Sequence, residues 1–149
     1  MSVRIPEDMS LTEGEIPLWF GQMSWISRWV WILIAIIFFI TVNSVFMVIA
    51  VLIVMLVVID VVTSEYFISN TRIYMKRGLI SRQLNDIKIE WITNIFVQQG
   101  IFGRVLSYGD IGISSPGEHG GAIKFVGVSD PMGVKAIIED TLLKYKKNP

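Results

Sequence analysis

The chain has 149 residues, a length that allows one domain with an appendage and excludes two full globular cores. Thirteen Lys and Arg balance thirteen Asp and Glu, which argues against a generally basic nucleic-acid binder and against an acidic disordered chain. The absence of cysteine excludes a disulfide, a thiolate zinc site and a cysteine nucleophile in this chain. Hydrophobic residues make up 52% and charged residues only 17%, which predicts that part of the chain lies in lipid.

The first predicted element is a helical hairpin in a membrane. Residues 29–59 contain no charge, and most of them are Ile, Val, Leu, Phe or Met. One helix of that length would be about 46 Å long, against a bilayer core of about 30 Å. Polar residues near 41–44 divide the run into two spans, 25–40 and 45–63, which fit better than the alternative of one span.

The hairpin divides the chain into three predicted regions. Residues 1–24 form an N-terminal cytoplasmic segment, residues 25–63 the transmembrane hairpin with its turn near 41–44, and residues 64–149 a cytoplasmic domain. Arg28 precedes the first span, whereas Arg72, Lys76 and Arg77 follow the second. Because Lys and Arg accumulate on the cytoplasmic side, we expect a multi-pass protein of the cell membrane with both termini in the cytoplasm.

Arg28 and Asp60 lie at similar distances from the turn, so an antiparallel hairpin would bring them together near the cytoplasmic interface. One interpretation is an ion or proton site. The other is an interfacial ion pair, or two side chains that extend to the headgroups. We favour the second interpretation because charges near helix ends are less costly than charges at the bilayer centre.

From Glu65 onward the sequence predicts a mainly antiparallel β domain. Short alternating apolar runs are separated by glycine, proline and asparagine, which indicates six or seven strands. Residues 15–23 alternate loosely and are expected to support this small sheet. The predicted strands are 66–69, 72–77, 79–83, 87–91, 95–98, 110–114 and 122–128.

The end of the chain predicts an amphipathic helix that closes one end of the sheet. Asp130 is suited to the N-cap, and Pro131 to the first helical position, where its missing N–H has no cost. Apolar residues then recur at helical spacing along one face, from Val134 to Tyr145.

Several segments share a pattern with a known family. They are residues 11–15, 24–25, 66–73, 77–82, 95–104, 108–111 and 125–131. Together they resemble the membrane-associated bacterial pleckstrin-homology (PH) family, a membrane-flanked domain of unknown function. The resemblance covers nearly the whole chain. It implies a membrane α+β protein in which a PH-like antiparallel sheet, or partly open barrel, is displayed on the cytoplasmic face and capped by a C-terminal amphipathic helix.

Four cations in the first predicted β-hairpins are candidates for anionic-lipid contact: Arg72, Lys76, Arg77 and Arg82. The domain from Glu65 onward has a net charge of +3, from eleven cations and eight anions. Surface cations of this kind attract anionic headgroups. The alternative, which we favour, is that they only follow the bias of positive charge toward the cytoplasm.

A second candidate is the apolar connection that contains Ile101, Phe102, Val105 and Leu106. It either packs as a short helix over the mouth of the barrel or forms a patch that binds a partner. We favour packing because so small a sheet needs additional cover.

The sequence predicts no catalytic, cofactor or metal site, so we do not expect an enzyme. His119 lies in a glycine-rich hairpin tip with only Glu118 beside it, which is too few ligands for a metal. No glycine-rich segment has the order of a phosphate-binding loop.

The resulting hypothesis is a membrane-anchored PH-like adaptor or scaffold that binds proteins or assembles with itself. The alternatives are an anionic-lipid-sensing module and an accessory subunit of a membrane transporter or enzyme complex. The expected partners are the lipid bilayer and a membrane or cytoplasmic protein, including a second copy of this chain. Nucleic acid is not expected as a partner.

Overall fold

The structure, a computed structural model, describes residues 11–41, 44–78, 83–116 and 123–147. These ranges form seven strands and four α-helices, and two 3-10 turns at Trp25–Arg28 and Ile89–Trp91. In chain order the elements are β1 (Pro17–Gln22), α1 (Trp29–Ile40), α2 (Ser44–Thr63), β2 (Glu65–Ser69), β3 (Arg72–Arg77), β4 (Gln83–Lys88), β5 (Asn94–Gln98), α3 (Ile101–Val105), β6 (Tyr108–Ser114), β7 (Ile123–Ser129) and α4 (Pro131–Lys147).

The strands form two antiparallel sheets. The first sheet has the order β1-β2-β3-β4, and the second has the order β5-β6-β7. An isolated antiparallel bridge between Met23 and Val128 links the chain after β1 to β7. β4 and β5, which follow each other in the chain, are therefore the strands at the open side of this arrangement.

The two-helix hairpin is inserted between neighbouring strands of the first sheet. β1 precedes the hairpin, β2 follows it, and the two strands pair antiparallel, with Phe20 opposite Phe67. Both ends of the hairpin therefore lie next to each other at the first sheet. Residues 29–59 do not form one continuous helix, because α1 ends at Ile40 and α2 begins at Ser44.

α1 and α2 pack side by side in opposite directions. The rings of Phe38 and Phe46 approach to 5.5 Å between centroids near the turn, and Arg28 meets Asp60 at the other end. Of the described helices, α2 is the one long and apolar enough by itself to cross a membrane, with 20 residues and a mean hydropathy of 3.3.

α1 is shorter than the predicted first span, 25–40. The first four residues of that span, Trp25–Arg28, form a 3-10 turn instead of α-helix. The N–H of Ser24 donates to the carbonyl of Gly127 at 2.8 Å, and the Ser27 hydroxyl donates back to Ser24. Gly127 has a φ of +63°, and a Cβ there would lie 2.4 Å from Oγ of Ser27. This close approach requires glycine and fixes the entry to the hairpin against β7.

The core lies between the sheets and contains Tyr66, Phe125 and Ile111, all fully buried. Tyr66 and Phe125 stack with 4.6 Å between ring centroids. The hydroxyl of Tyr66 donates to the carbonyl of Val126 at 2.9 Å and accepts the Val126 N–H at 3.0 Å. One side chain of β2 thus satisfies two backbone groups of β7.

The terminal helix α4 closes the core as predicted. Oδ1 of Asp130 accepts the N–H of Gly133 at 3.1 Å, which is the hydrogen bond of an N-cap. Val134, Ile138 and Thr141 form its buried face. The predicted amphipathic helix is therefore confirmed.

One predicted strand differs from the structure, and another lies almost entirely outside the described residues. The strand predicted over residues 87–91 is wrong beyond Lys88, where β4 ends and the 3-10 turn begins. The N–H of Ile89 donates to Thr71 at 2.9 Å, and the N–H of Ile92 donates to Ile89 at 3.2 Å, so the chain turns toward the second sheet here. The strand predicted over 79–83 lies outside the described residues, except for Gln83.

Candidate functional site

Three charged side chains meet where the hairpin joins the first sheet. Oδ2 of Asp60, on α2, accepts a hydrogen bond from Arg28, and Oδ1 accepts from Nε and a terminal nitrogen of Arg77, both at 3.3 Å. Arg28 directly precedes α1, and Arg77 ends β3. These residues, the hairpin-base cluster, tie both helices to the sheet. The structure thus brings the two predicted partners Arg28 and Asp60 together and adds Arg77.

A cleft of about 320 Å³ opens beside the hairpin-base cluster. Its lining combines the three charged side chains with apolar side chains of both helices. The apolar residues are Trp31, Ile53, Leu56 and Val57. Two guanidinium groups share one carboxylate here, so the three side chains carry a net charge of +1.

Arg72, the first of the four candidate lipid contacts, is paired with a buried carboxylate. Nε and a terminal nitrogen of Arg72 donate to the two carboxylate oxygens of Glu15 at 3.0 Å each. The Glu15 side chain is 0% exposed. The hydroxyl of Ser69 donates to Oε1 at 2.7 Å, and the N–H and hydroxyl of Thr12 donate to Oε2 at 2.9 and 2.8 Å.

These donors keep Glu15 ionised. Burial raises the pKa of this carboxyl group, but the hydrogen bonds from Arg72, Thr12 and Ser69 outweigh burial and lower the pKa to about 2. The hydrogen bond to Glu15 in turn raises the pKa of Arg72. Arg72 therefore fastens the segment before β1 to the turn between β2 and β3.

The other candidate lipid contacts are also engaged or not described. Nζ of Lys76 lies 3.9 Å from a carboxylate oxygen of Glu65, and Arg77 belongs to the hairpin-base cluster. Arg82 lies outside the described residues. The cations Arg72, Lys76 and Arg77 are thus distributed along β3 and meet three different carboxylates.

The connection over residues 101–106 forms the short helix α3, as one interpretation required, but its apolar side chains are not packed over the core. Ile101, Phe102, Val105 and Leu106 are 84%, 62%, 76% and 40% exposed. The expectation that they bury themselves is therefore wrong. The backbone of Gly103 takes the contact with the sheet instead, because a Cβ there would lie 2.6 Å from the carbonyl oxygen of Tyr108.

Trp29, the first residue of α1, connects α3 with the hairpin. Its ring lies 5.2 Å from that of Phe102 between centroids, and its Nε1–H donates to the Tyr108 hydroxyl at 3.2 Å. The hairpin therefore contacts the domain at two places. At one, Asp60 forms an ion pair with Arg77 of β3, and at the other, Trp29 contacts Phe102 and Tyr108.

Sequence reasoning missed Glu15, Tyr108 and the second partner of Asp60. The sequence does not indicate the pairing of Glu15, because its partner Arg72 lies 57 residues away. The described residues contain no group of three or more His, Asp and Glu that could hold a metal. His119 lies outside the described residues.

One family model matches most of this chain. A family model described as "Bacterial PH domain" matches residues 19–142. One similar solved structure is that of a DUF1696 family protein with a pleckstrin-homology domain from Shewanella loihica PV-4. It is 14% identical, with a TM-score of 0.43, over 55% of this chain and 73% of that chain. No curated protein matches the sequence.

Proposed function

Since the chain belongs to the bacterial PH domain family, as its resemblance predicts, we propose that it is a membrane-anchored, PH-like adaptor on the cytoplasmic face. The adaptor binds proteins or assembles with copies of itself. The observation that carries the anchor is the surface of the hairpin. Only 17% of the apolar window in α2 is buried, so the remainder needs an apolar environment.

The pairing of β1 with β2 supports the proposed topology. Both strands belong to one sheet, so the domain lies on one side of any membrane that the hairpin enters. The charges of the hairpin-base cluster lie at its exit, where Arg side chains mark the cytoplasmic side. Trp25, Trp29 and Trp31 lie within three residues of Arg28 in the chain, and aromatic residues of this kind are enriched at membrane interfaces.

The height of the hairpin fits a thin or locally thinned bilayer. From Asp60 to Ser44 the helix rises about 24 Å, at roughly 1.5 Å per residue. A hydrocarbon core is about 30 Å thick, and local thinning accommodates such a difference at modest cost. The polar turn is then expected near the outer surface.

The two edge strands at the open side support the adaptor part of the proposal. β4 and β5 are each last in their sheet, so each has one edge without a strand partner among the described strands. Leu84, Trp91 and Phe96 are exposed on β4, the following turn and β5. Free edges and exposed apolar side chains are features that bind other chains.

Thiol labelling tests the anchor, because the chain has no cysteine. We expect Ser44→Cys to react with a membrane-impermeant maleimide in intact cells. Leu143→Cys, on α4, should react only after permeabilisation. Labelling of Leu143→Cys in intact cells would reverse the topology. Failure of the protein to float with membranes would remove the anchor.

The adaptor role is tested by the mass of the purified full chain in mild detergent. Self-assembly predicts a particle whose protein mass is a multiple of the chain mass, and a protein partner predicts a stoichiometric second polypeptide. A chain that is monomeric, and remains alone when purified from its own membranes, contradicts the adaptor.

The cleft beside the hairpin-base cluster favours lipid sensing as the second candidate. Its net positive charge and apolar lining match an anionic headgroup with its acyl chain. Native mass spectrometry of the chain from mixed neutral and anionic lipids would test this candidate. If the cleft binds anionic lipid, we expect Arg77→Gln to reduce the amount retained and Arg72→Gln, which lies outside the cleft, to leave it unchanged.

A further inference from the structure

α3 displays apolar side chains from a backbone that is held firmly. Nε2 of Gln99 donates to the carbonyl of Tyr108 at 3.1 Å and to that of Gly103 at 3.4 Å. Gly103 is buried against Tyr108, while Ile101 and Val105 are among the most exposed apolar side chains of the described chain. The sheet thus fixes one side of α3 and leaves its apolar side chains outside.

This apolar surface is continuous with the base of the hairpin. Phe102 contacts Trp29 at the first turn of α1, and the preceding 3-10 turn exposes Trp25 and Ile26. Arg104, the one charged residue of α3, is also exposed. Apolar and aromatic side chains beside a cation form the composition that binds a membrane interface.

We propose that α3 inserts into the lipid interface next to the hairpin, so that the domain contacts the bilayer at a second point. This inference rests on the proposed anchor. Ile101, Phe102, Val105 and Leu106, here called the α3 patch, enter the boundary between headgroups and acyl chains by ~5–10 Å. Arg104 reaches the phosphates.

We assign lipid, and not a second copy of the chain, as the partner of the α3 patch because the patch lies beside the base of the hairpin. A segment of five residues is too short to hold a membrane alone, but the adjoining α1 places it at the interface. Two membrane contacts fix the orientation of the domain relative to the bilayer, whereas with the hairpin as the single contact, hairpin and domain could tilt together. The open-side strands β4 and β5 are then held in a defined direction.

Fluorescence quenching tests this inference in the full chain. Val105→Cys, labelled with the fluorophore NBD, is reconstituted into phosphatidylcholine vesicles that carry nitroxide lipids. Val48→Cys on α2 serves as the hairpin control, and Leu143→Cys on α4 as the solvent control. All three native side chains are exposed, so the labels should not disturb the core. Phosphatidylcholine has no net charge, so quenching in these vesicles cannot result from a general attraction of Lys and Arg to anionic lipid.

We expect emission from residue 105 to shift to the blue and to be lost with nitroxide near the headgroup, and less with nitroxide deep in the acyl chain. Residue 48 should be quenched and residue 143 should not. Quenching at 48 without quenching at 105 overturns the inference and leaves the anchor intact. Quenching at neither position overturns both. A blue shift at 105 that nitroxide lipids do not quench, and that dilution reverses, assigns the patch to a second copy.

Discussion

Glu15 and Arg72 form a two-pronged ion pair although the entire hairpin lies between them in the chain. Each carboxylate oxygen of Glu15 accepts one nitrogen of the Arg72 fork at 3.0 Å. Such a bidentate contact is both stronger and more directional than a single charged hydrogen bond. The pair therefore fastens the chain before the hairpin to the chain after it, in addition to the pairing of β1 with β2.

The first prediction is a pH-dependent loss of stability in Glu15→Gln. The pKa of Glu15 falls from 4.5 to about 2, so its contribution is complete above about pH 4.5 and is lost as the pH falls toward 2. At about 1.4 kcal/mol for each pKa unit, the contribution at neutral pH is on the order of 3 kcal/mol. Denaturant unfolding in detergent should show a deficit of that size near pH 7.

The same measurement near pH 3 should show a smaller deficit, because below pH 4.5 the unfolded chain binds a proton at Glu15 that the folded chain does not yet bind. Glu13→Gln is the matched control, since Glu13 is exposed two residues earlier. It should change stability little at either pH. A deficit in Glu15→Gln that is equal at both pH values would show that shape, and not charge, matters at this position.

The second prediction concerns Tyr66. Tyr66→Phe removes the hydroxyl that pairs with both backbone groups of Val126, and the free energy of unfolding should fall by about 1–3 kcal/mol. Tyr145→Phe is the control, because its hydroxyl donates to Glu90 at 2.9 Å in an exposed contact. That variant should be nearly as stable as the parent. Equal stability of both variants would contradict the link between β2 and β7.

Local patterns were sufficient to predict most of the second half of the fold. The predicted ranges 72–77 and 110–114 fall on β3 and β6, because alternation and glycine turns are local signals. The N-cap at Asp130 is also local and was predicted. The pair of Arg28 and Asp60 followed from symmetry about one turn. The prediction of this pair requires only that the two helices run antiparallel.

Long-range partners and exposure could not be predicted in the same way. β1 pairs with a strand on the far side of the hairpin, so residues 15–23 indicated only loose support. The apolar run at 101–106 favoured burial, because composition does not distinguish a core from an apolar surface. The sequence offers Arg77 only as a candidate lipid contact or as part of the cytoplasmic charge bias, because its partner Asp60 lies 17 residues away on a different element.

The third prediction is energetic coupling within the hairpin-base cluster. Asp60→Asn leaves Arg28 and Arg77 beside a neutral amide, so Arg77→Gln should cost less in that background than in the parent. We expect a coupling of about 1 kcal/mol, because these side chains are only partly exposed. A double-mutant cycle of thermal unfolding in detergent measures it.

The control cycle uses Asp140→Asn and Lys144→Gln, an exposed ion pair within α4. Its coupling should be smaller, since solvent screens both charges. If the two cycles gave the same value, the hairpin-base cluster would contribute no more than an ordinary surface pair.

The last prediction separates the two faces of α4 with one type of substitution. Ile138 is 0% exposed in the core, and Leu143, five residues later, is 67% exposed. Ile138→Asp places a carboxylate in the apolar core, which costs several kcal/mol against a total stability of about 5–15 kcal/mol. The domain should lose its cooperative thermal transition and become sensitive to protease. Leu143→Asp should keep the cooperative transition and the protease resistance. Its free energy of unfolding should lie within about 0.5 kcal/mol of the parent, apart from a small unfavourable interaction with the helix C-terminus. If both variants melted like the parent, α4 would not close the core, and the buried face formed by Val134, Ile138 and Thr141 would have to be reassigned.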